Sequence, residues 1–126
     1  AREAHAKAVA AHGGNDGAAP PFLIHMHSCF QDEAHLFFVM ELVTGGDLFH
    51  RLCCEGVFSV SRTRFYTAEI TCGLLYLHER GIIHQDIKSD NILLGLAPGG
   101  TGGLVAKLAD FGTVRMAPTR PALRGC

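Results

Sequence analysis

Long apolar runs, an excess of either charge, paired cysteines and internal repeats are all missing from these 126 residues, and each absence closes off a class of protein. The longest apolar stretches, such as LFFVM at 36–40, fall far short of the roughly 20 residues that a membrane-spanning helix requires. The Ala-rich first residues hold no hydrophobic signal core. With 11 basic and 12 acidic side chains, no field is strong enough to make nucleic acid or an anionic membrane the main partner. Five cysteines (Cys29, Cys53, Cys54, Cys72 and Cys126) form an odd set without CxxC spacing, unlike a secreted disulfide framework. A reducing, cytoplasmic setting is the expectation. Eight histidines invite a metal reading, and His25 and His27 would share one face of a strand. Zinc wants two further ligands at fixed positions, and of the cysteines only Cys29 lies near in sequence, which leaves such a set incomplete.

What is present reads as one α+β unit. Residues 1–12 are strong helix formers, and the glycines and prolines of 13–21 end any helix there. FLIHMHSCF (22–30) and LFFVMEL (36–42) are short, apolar and partly aromatic, with polar QDEAH between them, which predicts an antiparallel strand pair. Gly45 and Gly46 end the second strand, and Asp47 can cap a short helix to about Leu52. From Ser59 to His78 the period becomes helical: Tyr66, Ile70, Leu74 and Leu77 stack on one face, widened by Leu75 and Tyr76. NILLGL and LVAKLA then predict two strands joined by glycine-rich APGGTGG. The last fifteen residues, GTVRMAPTRPALRGC, show no periodicity and are expected to be poorly ordered.

The chemistry concentrates in HQDIKSDN (84–91), where Asp86, Lys88, Asp90 and Asn91 crowd one loop, and in DFG (110–112) beyond the second strand pair. Phosphoryl transfer needs a group that orients the attacking hydroxyl and accepts its proton, and hard oxygen ligands for magnesium. A polar surface loop would account for the first cluster but predicts neither the DFG nor the apolar flanks. The arrangement resembles the protein-kinase signature HRDxKxxN followed by DFG. HLFFVMELVTGGDLFHRL and RTRFYTAEITCGLLYLHERGIIHQDIKSDNILL extend the similarity to the protein kinase C and cyclic-nucleotide-dependent group of Ser/Thr kinases.

The resemblance implies an incomplete protein-kinase-like α+β fold: the hinge strands of the small lobe plus the first part of the helical large lobe. On it, 1–21 would be small-lobe helix and loop, 22–44 strands and hinge, 45–112 large lobe to DFG, and 113–126 a truncated activation segment. It also implies ATP and Mg2+ as cofactors and a protein or peptide substrate. Asp86 would be the catalytic base and Lys88 the group neutralising the transferred phosphate, with Asn91 and Asp110 as magnesium ligands. Met40 would be the gatekeeper, the backbone of Glu41 and Val43 would meet the adenine edge, and Leu93 would form the floor beneath it. Asp47 and Asp90 match positions whose acids contact the ribose and basic residues before the target Ser or Thr.

Departures from the pattern are as informative. No GxGxxG loop or VAIK-type lysine precedes the hinge, and no APE segment follows the DFG. The chain therefore reads as the middle of a domain, inactive by itself, and the alternative is a truncated kinase or pseudokinase serving as a binding module. Glu3 is a candidate partner for the missing lysine, although an Ala-rich solvated helix predicts a glutamate equally well. Gln85 stands where kinases with arginine hold a phosphorylated activation loop, which implies weak dependence on that phosphorylation.

Overall fold

The computed structural model describes residues 20–97 and 103–117. The helix expected over 1–12, with Glu3, lies outside them, as do the tip of the glycine-rich connection and the residues after 117.

Strands β1 (Met26–Gln31) and β2 (Leu36–Met40) pair antiparallel, with Gln31 opposite Leu36 and an irregularity between Met26 and Ser28. Asp32 makes the turn: its Oδ1 accepts the N–H groups of Ala34 and His35 at 2.8 and 2.6 Å, a short side chain replacing a backbone turn bond. Helix α1 (Leu48–Glu55) begins as expected at Asp47, whose Oδ1 accepts the His50 N–H at 2.7 Å. It runs past Leu52, because the first residue able to take a left-handed exit is Gly56 (φ 77°). Helix α2 (Val60–Glu79) is capped by Ser59, which accepts the Arg62 N–H.

After β3 (Ile82–Ile83) and the 3-10 turn Ser89–Asn91, strands β4 (Ile92–Leu96) and β5 (Leu104–Leu108) form an antiparallel hairpin. Its register sets Ile92 opposite Leu108 and Leu94 opposite Ala106. Two irregular segments extend it on either side. Gly45 N–H and Gly46 C=O bond to Leu94, while Phe22 C=O and Ile24 N–H bond to Leu108. Leu23, Tyr66, Leu77, Ile82, Ile92, Leu94, Ala106, Leu108 and Val114 form the core beneath α2.

Helix α2 packs on the stripe predicted for it, with Ile70, Leu74 and Tyr76 half-buried against the core, but it is turned so that Glu69 and Gly73 also face inward. Its buried residues are Tyr66, Glu69, Gly73 and Leu77, whereas Leu75 is 55% exposed. The cause is the close approach at Gly73, where a Cβ would lie 3.2 Å from Leu108, Leu23 and the Phe22 carbonyl. That rotation buries Glu69, whose Oε2 accepts the Ala106 N–H at 2.8 Å. The carboxylate thereby continues the hydrogen bonding of the β5 edge beyond the point where residues 22–24 pair with it.

Burial raises the Glu69 pKa, partly opposed by the Ala106 bond. A raised carboxyl pKa means that the folded chain holds a proton the unfolded chain has lost, so stability falls as pH rises from the ordinary carboxylate value to the raised one. Glu69→Gln keeps an acceptor and should abolish that slope, whereas Glu69→Leu strands the Ala106 N–H and should cost about 1–3 kcal/mol. Urea midpoints measured across pH for parent and both variants check this. An unchanged slope in Glu69→Gln would assign the pH dependence to another group.

The expectation of poor order from residue 112 onward is corrected for 112–117. Phe111–Thr113 forms a 3-10 turn, Val114 is buried, and β6 (Arg115–Met116) pairs antiparallel with β3. The stretch has no periodicity because its order comes from one buried valine and a two-residue strand pair, too short to leave a pattern in sequence.

Candidate active site

The loop between β3 and β4 is held from below by His84, 1% exposed. Its Nε2 lies 3.0 Å from the carbonyl of Ala109, and its Nδ1 lies 3.4 Å from the backbone N–H of Asp86. A carbonyl only accepts and an amide only donates, so both bonds require the neutral ring protonated at Nε2. Burial lowers the His84 pKa, opposed by the Ala109 bond and by the charges of Asp110 and Asp86, which agrees with a neutral ring. Thr113 Oγ1 donates to the His84 carbonyl at 3.2 Å, and the Phe111 ring lies 5.1 Å from the imidazole. One buried ring thus joins the loop bearing Asp86 to the strand exit bearing Asp110. His84 carries no role that the sequence alone assigns. The signal available was a histidine directly after the apolar pair Ile82 and Ile83.

Two non-glycine residues have a positive φ among those described, Gln85 at 70° and Asp110 at 59°. Left-handed backbone costs an ordinary residue about 1–2 kcal/mol, and such outliers gather where function demands a particular side-chain direction. Here one precedes Asp86 and the other is Asp110 itself. Gln85 is exposed, so its side chain does not explain the outlier.

Asp86, Lys88 and Asn91 are brought into direct contact. Lys88 Nζ donates to Asp86 Oδ2 at 2.8 Å, and Asn91 Nδ2 donates to the same oxygen and to the Asp86 carbonyl, each at 2.9 Å. The Lys88 bond holds the Asp86 pKa below the ordinary carboxylate value against desolvation, with Asn91 adding to it, and Asp86 in turn raises Lys88. The resting site therefore has an ionised carboxylate of low basicity whose orientation is fixed. Asn91 is buried and has spent both amide protons, so what it can offer a cation is its oxygen.

The Ala109 N–H donates to the Asn91 carbonyl at 2.9 Å, which sets Asp110 next in chain to a residue bonded to Asn91. Asp110 is exposed and caps the following turn, with Oδ1 accepting the Gly112 N–H at 3.2 Å. An amide oxygen and a carboxylate fit magnesium, which takes one or two protein oxygens and completes its shell from phosphate and water.

Of the residues assigned to the nucleotide, Asp47, Leu93, Val43 and Glu41 connect to the β4–β5 hairpin. Asp47 bridges to Leu93 in the backbone, and Leu93 is the cross-strand partner of Lys107. Val43 is half-buried, with Cγ1 3.8 Å from where a Cβ on Gly95 would stand. Glu41 lies directly after β2, and its side chain takes both bonds of an ion pair with Lys107. Met40 and Asp90 are exposed, Asp90 with its carboxylate 3.5 Å from Ser89 Oγ. Lys107 was missed in sequence, although a lysine inside the apolar strand LVAKLA is the mark of a paired or snorkelling cation.

The family model described as "Protein kinase domain" matches residues 16–124. The human "Protein kinase C delta type" is 48% identical over 95 residues, covering 75% of this chain and 13% of that protein. The Drosophila melanogaster "Putative protein kinase C delta type homolog" is 47% identical over 100 residues, covering 79% of this chain and 14% of the relative. "Protein kinase C, eye isozyme" from the same fly is 50% identical over 93 residues. The chain thus spans well under a fifth of the length of the curated relatives it matches.

Proposed function

The chain belongs to the protein kinase domain family, and from that premise we propose that the protein carrying it transfers a phosphoryl group from ATP to Ser or Thr side chains of protein substrates. Its α+β arrangement is part of that family's fold. The observation that carries the proposal is the bonding of Asp86 to Lys88 and Asn91 in one loop, with Asn91 tied to Ala109 beside Asp110.

In this reading the carboxylate of Asp86 receives the substrate hydroxyl by hydrogen bond and aligns its oxygen for attack. Its low basicity makes it an orienting group first, with the proton accepted as the oxygen becomes acidic during bond formation. Lys88 starts paired with Asp86 and lies within reach of the same hydroxyl, where its cation offsets the charge of the incoming phosphoryl oxygens. Asn91 and Asp110 would hold magnesium, which neutralises phosphate charge when bound. Backbone groups at 41–43 would receive the adenine edge, with Leu93 as the floor. Asp47 keeps one carboxylate oxygen for its cap bond and offers the other to a ribose hydroxyl. Asp90, exposed, would favour a substrate with basic residues ahead of the target.

The test uses the protein carrying this domain, Ser and Thr peptides with and without preceding arginines, and MgATP. Phosphate should be incorporated only with magnesium, and Asp110→Asn should weaken magnesium-dependent nucleotide affinity by about tenfold or more, since it removes a charged metal ligand. Magnesium-dependent nucleotide binding without any transfer to Ser or Thr would leave a binding module, and the enzyme reading would fall.

A further inference from the structure

Glu41 and Lys107 are separated by 66 residues and meet in the least exposed ion pair of the described residues, with side chains 25% and 12% exposed. Lys107 Nζ donates to Oε1 at 2.7 Å and to Oε2 at 2.8 Å. Oε1 also accepts the backbone N–H of His25 at 2.7 Å, while the Glu41 N–H donates to the His25 carbonyl at 2.9 Å. The start of the β1 ribbon, the exit of β2 and the middle of β5 are therefore bonded through one carboxylate. Burial pushes the Glu41 pKa up, and the Lys107 and His25 bonds outweigh it, leaving the group below its ordinary value.

The path of the lysine depends on a missing side chain. Along β5, Leu104, Ala106 and Leu108 alternate onto one face, so Val105 and Lys107 point to the other, on the side of Leu93 and Gly95. A Cβ on Gly95 would stand 3.0 Å from Lys107 Cε and 3.3 Å from Cδ. The lysine stem thus crosses β4 over a glycine to reach Glu41, and Val43 sits above the same glycine.

We propose that the Glu41–Lys107 pair, laid across Gly95, is a positioning strut that sets residues 41–43 at a fixed distance from β5, the strand that leads into Asp110. The proposal rests on the kinase reading for what it positions: the adenine edge at one end and the magnesium ligand at the other. Lys107 lies three residues before Asp110 and opposite Leu93. A shift of residues 41–43 relative to β5 therefore moves the base relative to the phosphates. Removing one member leaves the other charge partly buried and unpaired. Three residues then act on the nucleotide only through residues 41–43 and β5: Glu41 by its side chain, Lys107 and Gly95.

The test compares parent, Lys107→Met, Glu41→Gln and Gly95→Val in the protein carrying this domain. Backbone hydrogen exchange without nucleotide is the first measurement. In Lys107→Met and Gly95→Val the His25 and Glu41 amides should exchange about tenfold faster, with the Leu94 and Ala106 amides unchanged. The second measurement is steady-state kinetics, where KM for ATP should rise about threefold or more with a smaller change in KM for peptide. Glu41→Gln, which retains an acceptor for His25 N–H, should raise KM for ATP with less effect on His25 exchange. Unchanged exchange at residues 25 and 41, or equal acceleration across β4 and β5, overturns the strut. Localised acceleration in a protein that transfers no phosphate upholds the strut and removes the kinase reading instead.

Discussion

Asp86→Asn in the protein carrying this segment should lower turnover by about 10² to 10⁴, the loss typical of a positioned proton acceptor. The fold should survive, because the amide is nearly isosteric and its oxygen can still accept from Lys88 Nζ and Asn91 Nδ2, which meet at one oxygen of Asp86. What disappears is the negative charge and the ability to end the step protonated. Affinity for magnesium nucleotide should change little, in contrast to Asp110→Asn, since Asp86 is not among the proposed metal ligands. Turnover, nucleotide affinity and melting temperature on the same preparation separate these effects. A melting temperature that collapses together with activity would move Asp86 from chemistry to structure.

Gly45→Val should be among the most destabilising substitutions in the chain. A Cβ at this position would lie 2.1 Å from the carbonyl oxygen of Leu94 and 3.0 Å from its carbon, and neither is the yielding end of a side chain. Accommodation requires the segment to leave β4, which breaks the bond from Gly45 N–H to Leu94 and strains its companion to Gly46. Overpacking costs about 1–3 kcal/mol where surroundings yield and more where they do not. Nearby Gly46 provides the comparison. Nothing lies within 4 Å of its Cβ position, but its φ is +75°, so Gly46→Ala should cost only about 1–2 kcal/mol of backbone strain. Urea unfolding of the two variants gives the ranking, and equal midpoints would show that β4 tolerates loss of this neighbour.

The elements legible in sequence were those whose residues stabilise one another locally. Asp47 caps its helix as read and Ser59 caps the helix whose period was read from it onward, because a cap bond joins positions three apart in the chain. The strand pairs were legible from short apolar runs flanked by turn residues, and β1 with β2 and β4 with β5 pair antiparallel as expected. Asp86, Lys88 and Asn91 could be read together since they occupy one loop. The family itself was readable from HQDIKSDN and DFG in order, and the comparisons show it.

Tertiary structure decided whatever depends on residues far apart in the chain meeting at one distance. Helix α2 turns Glu69 and Gly73 inward because the glycine admits β5, an effect that an apolar stripe on one helix cannot encode. His84 becomes a neutral donor to Ala109 across 25 residues, and Lys107 reaches Glu41 across 66. Gln85 takes a left-handed backbone that its residue type does not favour. Periodicity and capping report interactions within a few residues, where the chain's own geometry sets the spacing. Buried polar bonds between distant segments have no such spacing, and exist only once the core has fixed the distance.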